Sequence, residues 1–89
     1  MASKSYRWTS KLYGRINRIL IYGSRALLER PSTYDFLILE ALYMNGVDVR
    51  AADELRCPIC GRVFGSRNAL KAHMRGHRQF ISMLVRQIA

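Results

Sequence analysis

The chain has 89 residues, nearly half of them hydrophobic, with two cysteines, two histidines and a formal charge of +9. That composition excludes a disordered tail, and two cysteines are too few for a secreted disulfide scaffold, so a reducing, intracellular setting is expected. The most apolar run, Tyr34 to Met44, is broken by Asp35 and Glu40 and falls short of the roughly 20 residues of a membrane span, so no membrane partner is expected.

Thr9 or Ser10 is placed to cap a first helix that runs to about Arg30 and stops at Pro31. Leu12, Ile16, Ile19, Leu20 and Leu27 recur at helical spacing and give it an apolar stripe. Lys11, Arg15, Arg18, Tyr22 and Arg25 form a second stripe, so one face packs and another carries cations. Gly14 and Gly23 oppose the helix by about 1 kcal/mol each relative to Ala, and Gly23, on the apolar stripe, suits a close approach of another helix. Ser32 to Asp35 reads as a capping box for a second helix through Phe36 to Tyr43. That helix is apolar over most of its circumference and is expected to be the most buried element.

Asn45-Gly46 supplies a left-handed C-cap, and the connection that follows holds a helical turn at Val49 to Glu54. Residues 36–55 have the outline of a helix-turn-helix opening, but Cys57 arrives where its recognition helix would have to begin. Near the other end, Phe80, Ile81, Leu84, Val85 and Ile88 recur at helical spacing. They give a closing helix that packs on the first two.

Between these elements lies CPICGRVFGSRNALKAHMRGH, residues 57 to 77. A Cys-x-x-Cys turn points two sulfurs at one centre, and two histidines four apart lie on one helix face. Thiolate and imidazole in this arrangement suit a tetrahedral zinc ion. Cys57, Cys60, Phe64, Leu70, His73 and His77 resemble the C2H2 zinc finger, whose pattern is Cys-x2-Cys-x3-Phe-x5-Leu-x2-His-x3-His. Leu55 stands where the family usually carries an aromatic residue. The resemblance covers residues 55–77, a quarter of the chain. It implies a ββα unit holding one structural Zn2+ per chain through Cys57, Cys60, His73 and His77.

The expected fold is therefore mainly α, a single ββα finger packed with or flanked by a small helical bundle. Residues 1–54 would form a helical hairpin, 55–78 the finger and 79–89 a closing helix against the helical part. A zinc with four protein ligands keeps no open coordination position, and both histidines of the chain are ligands, so no enzyme is expected.

Charge falls in blocks. Residues 1–28 hold six cations and no acid, residues 29–54 hold all six acids with two cations, and residues 55–89 hold seven cations and no acid. Twelve of the fifteen cations are Arg, whose planar fork pairs with phosphate better than a Lys point charge. A polyanion, above all nucleic acid, is the partner this pattern suggests.

Fingers resembling this one contact bases from helix positions −1, 3 and 6, which fall on Ser66, Ala69 and Ala72. Ala offers a base edge no hydrogen bond and Ser discriminates poorly, which leaves Asn68 as the residue suited to an edge. Arg62, Arg67, Lys71, Arg75 and Arg78, with Lys11, Arg15, Arg18 and Arg25 of the first helix, suit phosphates. The expectation is a small zinc-dependent DNA-binding regulator that grips the backbone more than it reads sequence. An RNA-bound, ribosome-associated component is the alternative, with Tyr6, Trp8 and Tyr13 available to stack on bases. A protein-interaction finger and a homodimer are the further possibilities.

Overall fold

The computed structural model describes residues 2–29 and 34–88, with side chains of the first helix described from Thr9 onward. Among the described residues five α-helices follow one another: α1 Ala2–Tyr22, α2 Ser24–Glu29, α3 Asp35–Met44, α4 Arg67–Met74 and α5 Arg78–Ile88. Two 3₁₀ segments, Val49–Glu54 and Arg75–His77, complete the order. α1 is the central element, touching α2, the first 3₁₀ segment, α4 and α5, while α3 rests on α5. Among the described residues no helix is long and apolar enough to cross a membrane.

The first helix departs from expectation at both ends. It begins at Ala2, so neither Thr9 nor Ser10 caps it. It ends at Tyr22 because Gly23 adopts φ +61, the left-handed geometry that closes helices and that side chains resist. A Cβ at Gly23 would lie 2.9 Å from the Val49 carbonyl and overlap the Asp53 carboxylate. The close approach foreseen there is real, but a 3₁₀ segment makes it and the helix breaks. Asp53 then caps α2, accepting from the Ser24 amide at 3.0 Å and the Ser24 hydroxyl at 2.8 Å.

The buried face of α1 is the predicted stripe: Leu12, Ile16, Ile19 and Leu20 are buried, joined by Ile21. Arg15 departs from its expected place among the solvent-facing cations. Its Nε and Nη2 donate to the two Asp35 carboxylate oxygens at 2.7 and 2.8 Å, and Nη2 also donates to the Ala26 carbonyl at 3.0 Å. Little of either side chain reaches solvent (13% and 11%). One bidentate pair thus ties α1, α2 and α3 together at the N-terminus of α3, where a carboxylate also complements the helix dipole. Asp35 serves Arg15, and Ser32 of the expected capping box lies outside the described residues.

α3 is not the most buried element. Ile38, Leu42 and Asp35 face inward, while Phe36 is 74% and Tyr43 83% exposed, with Leu37 and Met44 also exposed. The helix is apolar all round, but α5 covers one side of it and no described element covers the other. Its C-terminus closes as predicted. Val47 donates to the Leu42 carbonyl at 2.9 Å and Gly46 to the Tyr43 carbonyl at 3.0 Å, with Gly46 at φ +73, which is a Schellman cap. The helical turn expected at Val49 to Glu54 is the first 3₁₀ segment, capped by Asp48, which accepts from the Arg50 amide.

One hydrophobic cluster runs through the molecule. Cys57, Leu70 and Met74 of residues 55–77 share it with Ile16, Ile19 and Leu20 of α1, Ile38 and Leu42 of α3, and Ile81 and Leu84 of α5.

Candidate metal centre

The cysteine arm is built on very little regular structure. A single antiparallel bridge joins Arg56 and Val63, flanked by hydrogen bonds from Cys57 N to Arg62 O at 2.8 Å and from Phe64 N to Leu55 O at 2.9 Å. The expected pair of strands is reduced to this bridge. Leu55 sits at φ +61, which ends the first arm one residue before the bridge, and Gly65-Ser66 bends the second arm into α4 just past Phe64. Between the arms, Gly61 at φ +81 closes a turn in which its amide donates to the Cys57 carbonyl at 2.8 Å. That turn brings the two cysteines to one side.

The histidine arm is α4 and the 3₁₀ turn after it. Ser66 caps α4 from an extended conformation, its hydroxyl accepting from the Ala69 amide at 3.2 Å. Leu70 is fully buried beneath the helix. His73 lies on α4 and His77 ends the tighter Arg75–His77 turn. Phe64 stands against the His73 ring at 4.8 Å between centroids, and the two histidine rings meet edge to face at 4.9 Å.

The four side chains named from the sequence converge. Their donor atoms all lie within 4.8 Å of one another. Cys60 Sγ is 3.2 Å from His73 Nε2, Cys57 Sγ is 3.5 Å from His77 Nε2, and the two Nε2 atoms are 3.2 Å apart. Zinc bond lengths to sulfur and nitrogen give a tetrahedron with edges of about 3.3 Å between nitrogens and about 3.6 Å between sulfur and nitrogen. The donor set and its spacing fit one structural zinc. Burial pushes the Cys57 thiol up, against a weaker downward pull from the Cys60 and Ile59 amides. Burial, with the neighbouring His73, pulls His77 down.

The cations named alongside the metal ligands divide into three groups. Arg15 is spent on Asp35. Arg67 is also turned inward: Nη1 donates to the Ile21 carbonyl in the last turn of α1 at 2.8 Å and to the Ala52 carbonyl, which also accepts from the Leu55 amide at 3.1 Å. Arg18 is exposed but shares Glu29 at 3.5 Å and lies over the Tyr22 ring. Lys11, Arg25, Arg62, Lys71, Arg75 and Arg78 are exposed, as is Asn68, and Arg62 lies over Phe64.

Ser66 is exposed with its oxygen engaged as the helix cap. Tyr13 is half-buried against the core, and the side chains of Tyr6 and Trp8 lie outside the described residues. Arg86 is exposed on α5 and is absent from the sequence-derived set. Its position eight residues after Arg78 on one helix face was the available signal.

Compared with known proteins, residues 55–77 match the family model for the zinc finger, C2H2 type. The search of curated proteins and the search of solved structures each returned no match to this chain. The matched segment contains all four converging ligands. Fingers of this type commonly bind nucleic acid.

Proposed function

We propose that this chain is a zinc-dependent DNA-binding protein, a small regulator that holds the phosphate backbone with little reading of base edges. The observation that carries this reading is the exposed cation set on and around the finger, Arg62, Lys71, Arg75 and Arg78, in a segment with no acid from residue 55 onward. Such a surface attracts a polyanion and releases its counterions on binding. The zinc, held by Cys57, Cys60, His73 and His77, supplies folding energy to the unit that presents these groups.

Base reading is limited by the residues available. Ala69 and Ala72 carry no hydrogen-bonding side chain and the Ser66 oxygen caps α4, leaving Asn68 to meet an adenine edge. A site filled by four protein ligands offers substrate no open position, so the reading is of a binding protein and not an enzyme. Its place is inside the cell, where thiols stay reduced.

RNA is the alternative polyanion, and a second copy of the chain is the partner suggested by the exposed apolar side chains of α3. Fluorescence anisotropy with a labelled DNA duplex and an RNA hairpin of equal charge separates the first two. The proposal expects tighter binding to the duplex, lost on chelation. Preference for the hairpin moves the protein to the RNA reading, and no binding to either at low salt ends both. Sedimentation velocity of the intact protein settles self-association.

A further inference from the structure

Helices α4 and α5 follow one another with no non-helical residue between them. Arg67–Met74 passes through the Arg75–His77 turn directly into Arg78–Ile88. In a 3₁₀ turn side chains three apart eclipse, which sets Arg78 in line with Arg75. From Arg78, steps of four residues continue along the same side of α5 to Ser82 and Arg86, and Lys71 lies one turn before Arg75. Lys71, Arg75, Arg78 and Arg86 are all exposed, while Leu70, Met74, Ile81, Leu84 and Val85 are buried against the core. None of these four cations has a carboxylate partner among the described residues.

The surface around Arg86 is concave on both sides. A groove of about 380 Å³ is lined by Arg78, Gln79, Ser82, Met83 and Arg86. A second, of about 460 Å³, lies between α1 and α5 and is lined by Thr9, Ser10, Tyr13, Ser82, Val85 and Arg86. Ser82 and Arg86 belong to both, so the cation row opens at its end into a trough rich in hydroxyl groups. Hydroxyl and guanidinium donors together are the usual equipment for phosphate and sugar oxygens.

We propose that this row, Lys71, Arg75, Arg78, Ser82 and Arg86, seats one sugar-phosphate strand of duplex DNA, with Arg86 as the anchor beyond the finger. The proposal rests on the DNA-binding reading above and adds to it that α5 is part of the contact surface. Fifteen residue steps at a rise of about 1.5 Å span about 22 Å. One strand advances about 3.4 Å per charge along the duplex axis and winds around that axis as well, so the row is long enough to pass a few consecutive phosphates.

The test uses the intact zinc-loaded protein and a labelled duplex, with affinity measured across a range of salt. Each phosphate contact contributes about 0.9 to the log–log salt slope. Arg86→Ala is expected to flatten the slope by about 0.9, the Arg78→Ala/Arg86→Ala pair by about 1.8, and Arg86→Lys to keep nearly the parent slope. Arg50→Ala, which removes an exposed cation from the 3₁₀ segment Val49–Glu54, is expected to leave the slope unchanged. Circular dichroism verifies that each variant keeps its helices. If the parent binds with a steep slope and Arg86→Ala binds identically, the row on α5 is refuted while the DNA-binding reading stands. If the parent itself does not bind duplex, both fall.

Discussion

The Arg67 guanidinium donates to the Ile21 carbonyl at 2.8 Å, joining the first residue of the finger's helix to the last turn of α1. The same nitrogen takes the Ala52 carbonyl, so one side chain closes two helix ends on two other elements. A cation at the C-terminal end of α1 also complements that helix's dipole.

Removing this group takes the guanidinium donor from the Ile21 carbonyl and leaves the Ala52 carbonyl with the Leu55 amide alone, both on buried residues. Arg67→Ala is expected to lower stability by about 2–3 kcal/mol, and Arg67→Lys to recover only part of it because an ammonium lacks the fork. Urea unfolding at saturating zinc measures both. A midpoint unchanged by Arg67→Ala would mean that the finger and α1 are held together by the apolar cluster alone.

The Arg15–Asp35 pair makes a separable prediction. Breaking a nearly buried ion pair from one side strands a charge and costs about 3–5 kcal/mol, so Arg15→Ala and Asp35→Ala should each be strongly destabilising and their double variant well short of additive. Duplex binding at temperatures where the variant is folded should keep the parent's salt slope. A flattened slope for Arg15→Ala would return Arg15 to the proposed DNA-contacting set.

α3 offers the opposite contrast. Ile38 is fully buried and Tyr43 is 83% exposed. Ile38→Ala should therefore cost about 2–5 kcal/mol, whereas Tyr43→Ser and Phe36→Ser should change stability by no more than about 0.5 kcal/mol. Thermal melts at low protein concentration compare them. Equal losses at positions 36 and 38 would contradict the outward placement of Phe36.

These elements show which parts of the molecule sequence patterns expose. The four ligands, the Asn45-Gly46 cap and the helical turn at Val49 to Glu54 depend on residues close along the chain, so spacing and turn chemistry suffice to place them. The break at Gly23 is different. Glycine within an apolar stripe permits either a helix or its end, and the choice is made by Asp53 and Val49, some thirty residues away. Arg15 and Arg67 carry the same lesson for the candidate site. Their spacing fits a cationic face, but their partners Asp35, Ile21 and Ala52 lie on other elements. The exposed side of α3 likewise reflects how many neighbours the fold provides, which hydrophobicity along one helix does not encode.

The metal site carries a pH dependence of definite sign. Because burial keeps the Cys57 thiol protonated to higher pH, zinc uptake near neutrality must displace its proton. Affinity therefore rises with pH until the raised thiol value is passed, by about tenfold per unit for each proton released. His77, pulled below its ordinary value, is already neutral there and begins to oppose zinc only at more acid pH. Competition with a chromophoric chelator between about pH 6 and pH 8 measures this. A flat profile would show that the thiol is ionised before the metal arrives.

The four converging ligands Cys57, Cys60, His73 and His77 lead to the expectation that one zinc keeps a single folded unit together. Native mass spectrometry of the reduced protein tests it in one spectrum, since mass reports the metal and the charge-state envelope reports compactness. The expected spectrum is that of a compact chain carrying one zinc. Acidification or chelation should give a metal-free chain with a broad, highly charged envelope. A metal-free chain that retains the compact envelope would contradict it.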